Sequence, residues 1–192
     1  MSNGPQHEII DKIVSITEQK LTIWNDVFGY APISAAIKLD KAMFSWMKSL
    51  TYTLRMWLQQ ATLGDLDMSE GELILAYANL GALVESWLKF FLSVYYLDYR
   101  QNPCIKRGKT IEPEDLELED LKQYCRGILW TETAQDSMFQ WVEKVQHRRN
   151  AIHSYKYRNI GTATEFLEDV TQYYFFLQTI LTHLPDDPHW DV

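Results

Sequence analysis

The sequence predicts an all-α fold, an antiparallel helical bundle, and three observations lead there. Apolar residues recur with a period of about 3.6 along most of the chain, and strict alternation of apolar and polar residues hardly appears. Gly (8) and Pro (6) are scarce and fall mainly between apolar runs, whereas many short strands would need more turns. Hydrophobic residues form 46% of the 192-residue chain, with 7 Trp, 11 Tyr and 8 Phe, enough for one bulky core without disulfides or metals. Residues 1–192 therefore read as a single helical domain.

Six helices are expected. The first covers roughly residues 7–24, with Ile9, Ile10, Ile13, Ile16, Leu21 and Trp24 as its apolar stripe. A second, over roughly 33–61, turns Ile37, Phe44, Met47 and Leu50 inward and ends before Gly64 and Asp65. Ser69 followed by Glu72 is a capping box, in which each side chain satisfies a free backbone amide, so a third helix starts near Glu70. Its stretch from Leu73 to Tyr99 is long enough to span a bilayer but carries Asn79, Glu85 and Lys89 at its centre, which lipid penalises; a buried core helix fits better.

Beyond Asp98 the periodicity fails, and Pro103, Gly108 and several charges mark an exposed loop. A fourth helix follows Pro113. Thr133 with Asp136 opens a fifth, whose apolar face is Met138, Trp141, Val142 and Val145. After Asn159 and Gly161, Thr162 with Glu165 forms a second capping box before a last helix striped by Phe166, Val170, Tyr173, Leu177, Ile180 and Leu184.

Several chemistries find no support. Gly108, Lys109 and Thr110 imitate the end of a phosphate-binding loop, but Pro103 stands where its first Gly belongs and no strand precedes it. The acidic run Glu112, Glu114, Asp115, Glu117, Glu119, Asp120 lacks calcium-loop spacing and reads as a solvated helix face. Glu143 and His147, one turn apart, read as a surface pair, because no third metal ligand shares their face. Cys104 and Cys125 are too few for a disulfide framework or a zinc site. No metal or cofactor is expected. The first ten residues do not read as a secretory signal, which together with free thiols points to the cytoplasm. A net charge of −8 opposes nonspecific attraction to nucleic acid or anionic lipid, so no membrane partner is expected and any RNA contact needs a local basic patch.

One such patch exists. Residues 147–158, HRRNAIHSYKYR, place three Arg, one Lys and two His within twelve positions of an acidic protein. An Arg fork suits a phosphate, an imidazole moves protons near neutral pH, and an amide can orient either. The candidate catalytic residues are Arg148, Arg149, Asn150 and His153, with Lys156 and Arg158 as candidate RNA or phosphate contacts. On a continuous helix of about 100° per residue, Arg149 and Asn150 share a face with His153, and Arg148 points away. The bland alternative is that Arg148, Arg149 and His153 merely complement the negative end of a helix dipole and stay solvated.

These residues resemble the HEPN family of helical ribonucleases, whose signature is an Arg, four to six residues, then a His near a helix end. Arg148 and His153 fit with four residues between, and His153, Ser154 and Tyr155 look like the HisxTyr version found in HEPN toxins. Arg149 stands where the family usually has a small polar residue, and Asn150 follows one step later, so family spacing favours Arg148 where the helical face favours Arg149. The resemblance covers roughly residues 69–184, with 1–66 as an N-terminal elaboration. It implies an up-and-down bundle, a homodimer with a shared site, and metal-independent cleavage of an RNA substrate by a toxin or defence effector. It also implies that Tyr155 is modified by a nucleotidyltransferase-like antitoxin partner. The competing expectation is a noncatalytic helical module that binds a nucleotide or a protein partner through the same basic end.

Overall fold

A computed structural model describes residues 5–62, 68–131 and 136–185. Within these the chain is an all-α bundle, with a two-stranded hairpin as its one sheet. Helix α1 (Pro5–Ile23) leads to α2 (Ile33–Asp40) and α3 (Phe44–Ala61), then to α4 (Glu70–Val94) and α5 (Tyr96–Gln101). Strands β1 (Ile105–Lys106) and β2 (Lys109–Thr110) precede α6 (Leu118–Tyr124), α7 (Ser137–Arg149) and α8 (Ala163–Thr182).

Helix α4 is the axis, packed against α2, α3, α5, α6, α7 and α8. It is the one described helix long and apolar enough to cross a membrane, yet Leu80, Leu83, Val84, Trp87 and Leu88 are wholly buried by its neighbours. One contiguous core runs from Ile10 on α1 to Leu184 past α8. Residues before α4 belong to it: α1 and α3 both pack on α8. Trp24 and Phe44 meet Phe90 edge-on, each with ring centroids 5.8 Å apart.

Both capping boxes form. Ser69 Oγ accepts from Glu72 N–H at 3.3 Å and Glu72 Oε2 from Ser69 N–H at 2.8 Å. Thr162 Oγ1 accepts from Glu165 N–H at 3.2 Å and Glu165 Oε2 from Thr162 N–H at 3.0 Å. At α7 the cap is Asp136, which accepts from Met138 and Phe139; Thr133 and the turn at Gly64 and Asp65 lie outside the described residues.

Four expectations need correction. The helix expected over 33–61 is two helices, broken at residues 41–43 without Gly or Pro, because α2 packs on α4 and α5 while α3 packs on α1, α4 and α8. The break leaves Ile37 exposed and gives the inward face of α2 to Ala35, Ala36 and Leu39. The loop after Asp98 holds α5 and a hairpin whose two turn residues, Arg107 (φ 51°) and Gly108 (φ 75°), take the positive φ values of a type I′ turn. The acidic run is not one solvated helix face: Glu112 and Glu114 clasp Lys38 at 2.8 and 2.6 Å, and Asp120 pairs with Lys106 at 2.6 Å. Glu143 pairs with the buried Lys122 at 3.1 Å rather than with His147.

At the junction of α4, α7 and α8 lies a buried ionic network. Asp169 on α8 is wholly buried and accepts from Tyr77 Oη (2.9 Å), Trp141 Nε1 (3.1 Å) and Arg148 (3.0 Å), with Lys144 Nζ at 2.5 Å. Arg148 also donates to Tyr77 Oη at 2.5 Å and to Glu165 at 2.6 Å. The hydrogen bond from Arg148 foremost, with that guanidinium's charge and the N–H of Thr162, holds the Glu165 carboxyl below its ordinary value. A carboxylate whose folded pKa lies below its unfolded one adds stability that is complete above the unfolded value and is lost as pH falls through the folded value. Acid unfolding followed by circular dichroism should therefore show stability falling below about pH 4.5, and Glu165→Gln should make that fall shallower.

Candidate functional site

The basic segment sits where α7 ends. Residues Asn150–His153 continue it as one 3-10 turn, and Ser154, at φ 55°, turns the chain out of it in the left-handed region. In a 3-10 turn side chains three apart eclipse one another, so Asn150 and His153 line up more closely than the roughly 60° offset of an α-helix would leave them. Arg149 precedes them on that side. All three line an open cleft of about 450 Å³, whose other wall is Glu85 and Lys89 of α4 and the segment 115–119.

Arg149 Nη1 lies 2.6 Å from Glu85 Oε2, and Glu85 Oε1 accepts from Lys89 at 2.8 Å, so one carboxylate bridges two cations. The Arg149 stem lies across Gly81: a Cβ there would be 2.6 Å from its Cδ and 2.9 Å from its Cβ. His153 is exposed at the rim, and Arg149 and Asn150 are half-buried.

Arg148 does not share the cleft. Its guanidinium lies in the ionic network, stacked over the Tyr77 ring at 5.1 Å and packed beneath Gly161. That glycine, at φ 76°, leaves the space that a Cβ would fill 2.5 Å from Arg148 Cζ. The bland expectation that both arginines stay solvated therefore fails for Arg148, which is only 5% exposed. Helical phase explains the split: with Arg148 turned into the core, the next side chain is rotated by about 100° and meets α4.

Past the turn, residues 154–160 form no helix or strand. Tyr155 is 102% exposed and Tyr157 91%, and Lys156 is exposed beside them. Lys156 and Arg158 make no ion pair among the described residues. They line a second cavity of about 570 Å³ with Ser154, Tyr157, Asn159 and Thr162, on the other side of the 3-10 turn from the first.

Comparison with family models, curated proteins and solved structures returns no match. The resemblance to HEPN ribonucleases thus stands on the motif itself.

Sequence reasoning missed Glu85 and Lys89 as walls of the cleft, although their charges within an apolar stretch were the signal. It missed Asp169 too, which sits among Phe166, Val170 and Tyr173 on the inward stripe of α8. Burial raises the thiols of Cys104 and Cys125 above the ordinary thiol value, so neither supplies a thiolate near neutral pH.

Gly81 offers a direct check of how Arg149 is seated. Ala is the better helix former by about 1 kcal/mol, yet at position 81 it meets the stem of Arg149 rather than a free tip. Gly81→Ala should lower the melting temperature, whereas Gly71→Ala on the same helix, with nothing within 4 Å, should hold or raise it.

Proposed function

We propose that the chain is a HEPN-like, metal-independent endoribonuclease that acts as a homodimer. The observation that carries this reading is the convergence of Arg149, Asn150 and His153 on one open cleft. His153 takes the proton of an RNA 2′-hydroxyl, and the 2′-oxygen attacks the adjacent phosphorus. The bond to the 5′-oxygen then breaks, that oxygen takes up a proton, and a 2′,3′-cyclic phosphate and a 5′-hydroxyl result. Arg149 counters the charge that builds on the phosphorane, and Asn150 orients the phosphate.

A base and an acid are both needed, and among the described residues each chain supplies one His at this cleft. A two-fold pairing that brings in His153 of a second copy supplies the other. In this reading Arg148 positions the motif, because its guanidinium is already engaged by Asp169 and Glu165.

One observation favours the noncatalytic module. The cleft wall carries Glu85, Asp115, Glu117 and Glu119 against Lys89 and Arg149, an excess of carboxylate that a phosphate would resist.

The two readings separate in an assay of labelled single-stranded RNA in EDTA, with circular dichroism and light scattering on the same samples. Wild type should cleave and have a dimer mass. His153→Ala should abolish cleavage with the fold intact, and Arg149→Ala should slow it by about 10²–10³. Arg148→Ala should destabilise the fold, though by less than the about 3–5 kcal/mol of a buried charge left wholly uncompensated, because Lys144 still answers Asp169. No cleavage by wild type, or undiminished cleavage by His153→Ala, would leave the noncatalytic module.

A further inference from the structure

We propose that residues 154–158 are a stacking platform for single-stranded RNA, with Tyr155 and Tyr157 each taking the face of a base and Lys156 and Arg158 meeting the phosphates between. The proposal deepens the ribonuclease reading by naming the form of RNA and the side chains that hold it. Exposure is the first ground. Among the described residues these two Tyr are the most exposed of all large apolar side chains; the next are Trp46 and two Ile at 66–67%. Tyr77, Tyr96, Tyr99 and Tyr173 are buried in the core, so the chain has room for tyrosine rings and holds these two outside it.

The second ground is preorganisation. The 3-10 turn and the left-handed Ser154 fix one end of the segment. At the other end, Asn159 Oδ1 accepts from Gly161 N–H at 2.9 Å, and Gly161 rests on the buried Arg148. A loop held at both ends presents its rings with little ordering entropy left to lose on binding. Tyr155 and Tyr157 are two residues apart, a span of at most about 7 Å along the chain, close enough to receive neighbouring bases.

The third ground is charge. Most lysines and arginines near the cleft are clasped by carboxylates: Lys89 by Glu85, Lys106 by Asp120, Lys122 by Glu119, Arg149 by Glu85. Lys156 and Arg158 have no carboxylate partner among the described residues, so they face a phosphate without first giving up an ion pair. The segment begins one residue after His153, so the platform adjoins the 3-10 turn that carries the proton-transfer group. A duplex keeps its bases stacked inside and offers them to neither Tyr, which restricts the platform to single strands.

In a protein of net charge −8, long-range attraction for RNA is weak, and ring stacking has to supply more of the affinity. The test is fluorescence anisotropy of a labelled 12-nucleotide single-stranded RNA, and of the corresponding duplex, on the full chain carrying His153→Ala so that the probe stays intact. Tyr155→Ala and Tyr157→Ala should each weaken binding roughly five- to hundredfold. Tyr→Phe at either position should retain it, because the ring face remains. Lys156→Ala with Arg158→Ala should weaken binding and reduce the slope of log K against log salt by about 1.4, near 0.7 for each lost cation. The duplex should bind more weakly than the single strand. The proposal is overturned if the single strand does not bind, if the Tyr→Ala variants bind as well as the parent, or if the duplex binds equally. It is also overturned if those variants lose dimer mass in light scattering while keeping RNA affinity, which would make the rings a protein interface. Tyr-dependent binding by a wild type that does not cleave would sink the ribonuclease reading and leave the platform; cleavage with no Tyr dependence would do the reverse.

Discussion

Asp169 carries its charge where solvent does not reach, and four donors from α4 and α7 converge on it: Tyr77, Trp141, Lys144 and Arg148. A carboxylate taken from water into a core costs several kcal/mol unless hydrogen bonds and countercharge are arranged around it. The arrangement here fixes three helices at once. Donors from α7 must face α8, which sets the rotation of α7 about its own axis. Glu165, one turn before Asp169, caps the start of α8 and also takes the second arm of Arg148, so the end of α7 and the start of α8 are tied together.

Rotation of α7 decides what the cleft contains. With Arg148 committed to the core, Arg149 can only face α4, and it reaches Glu85 because Gly81 has no side chain in the way. Gly161 serves Arg148 in the same manner and at positive φ, where an L side chain is strained. Two adjacent arginines of identical chemistry thus stand in opposite environments, each admitted by one glycine distant in sequence.

Local signals were readable because their causes are local. Both capping boxes, the inward stripe of α8 and the buried character of α4 follow from spacing over a few turns, and each is present. The break between α2 and α3 has no Gly or Pro to mark it, and only packing against different partners requires it. At the site, the local reversal of charge and the grouping of Arg149, Asn150 and His153 on one side could be read from residues 147–158 alone. The burial of Arg148 could not, because it depends on Asp169 and Tyr77, which arrive from other helices. A linear motif counts residues, whereas one residue's shift turns a helical side chain by about 100°.

The carboxylates of the cleft wall weigh against a phosphate only as far as they remain unanswered. Glu85 is shared by Lys89 and Arg149, a triplet with one positive charge in excess. Glu119 is met by Lys122 at 2.9 Å and Glu117 faces Lys106 at 3.9 Å, cations that stand behind the wall rather than on it. Asp115 is left without an ion pair among the described residues. Lys122 and Lys106 are themselves shared with Glu143 and Asp120, so the wall stays acidic on balance, and the donors still free on Arg149 decide whether a phosphate approaches: a guanidinium has five N–H groups, and Glu85 engages one nitrogen, Nη1. A phosphate entering from the His153 rim can use the others without displacing Glu85. The ion pair that makes the site look occupied thereby also holds the Arg149 fork in one orientation.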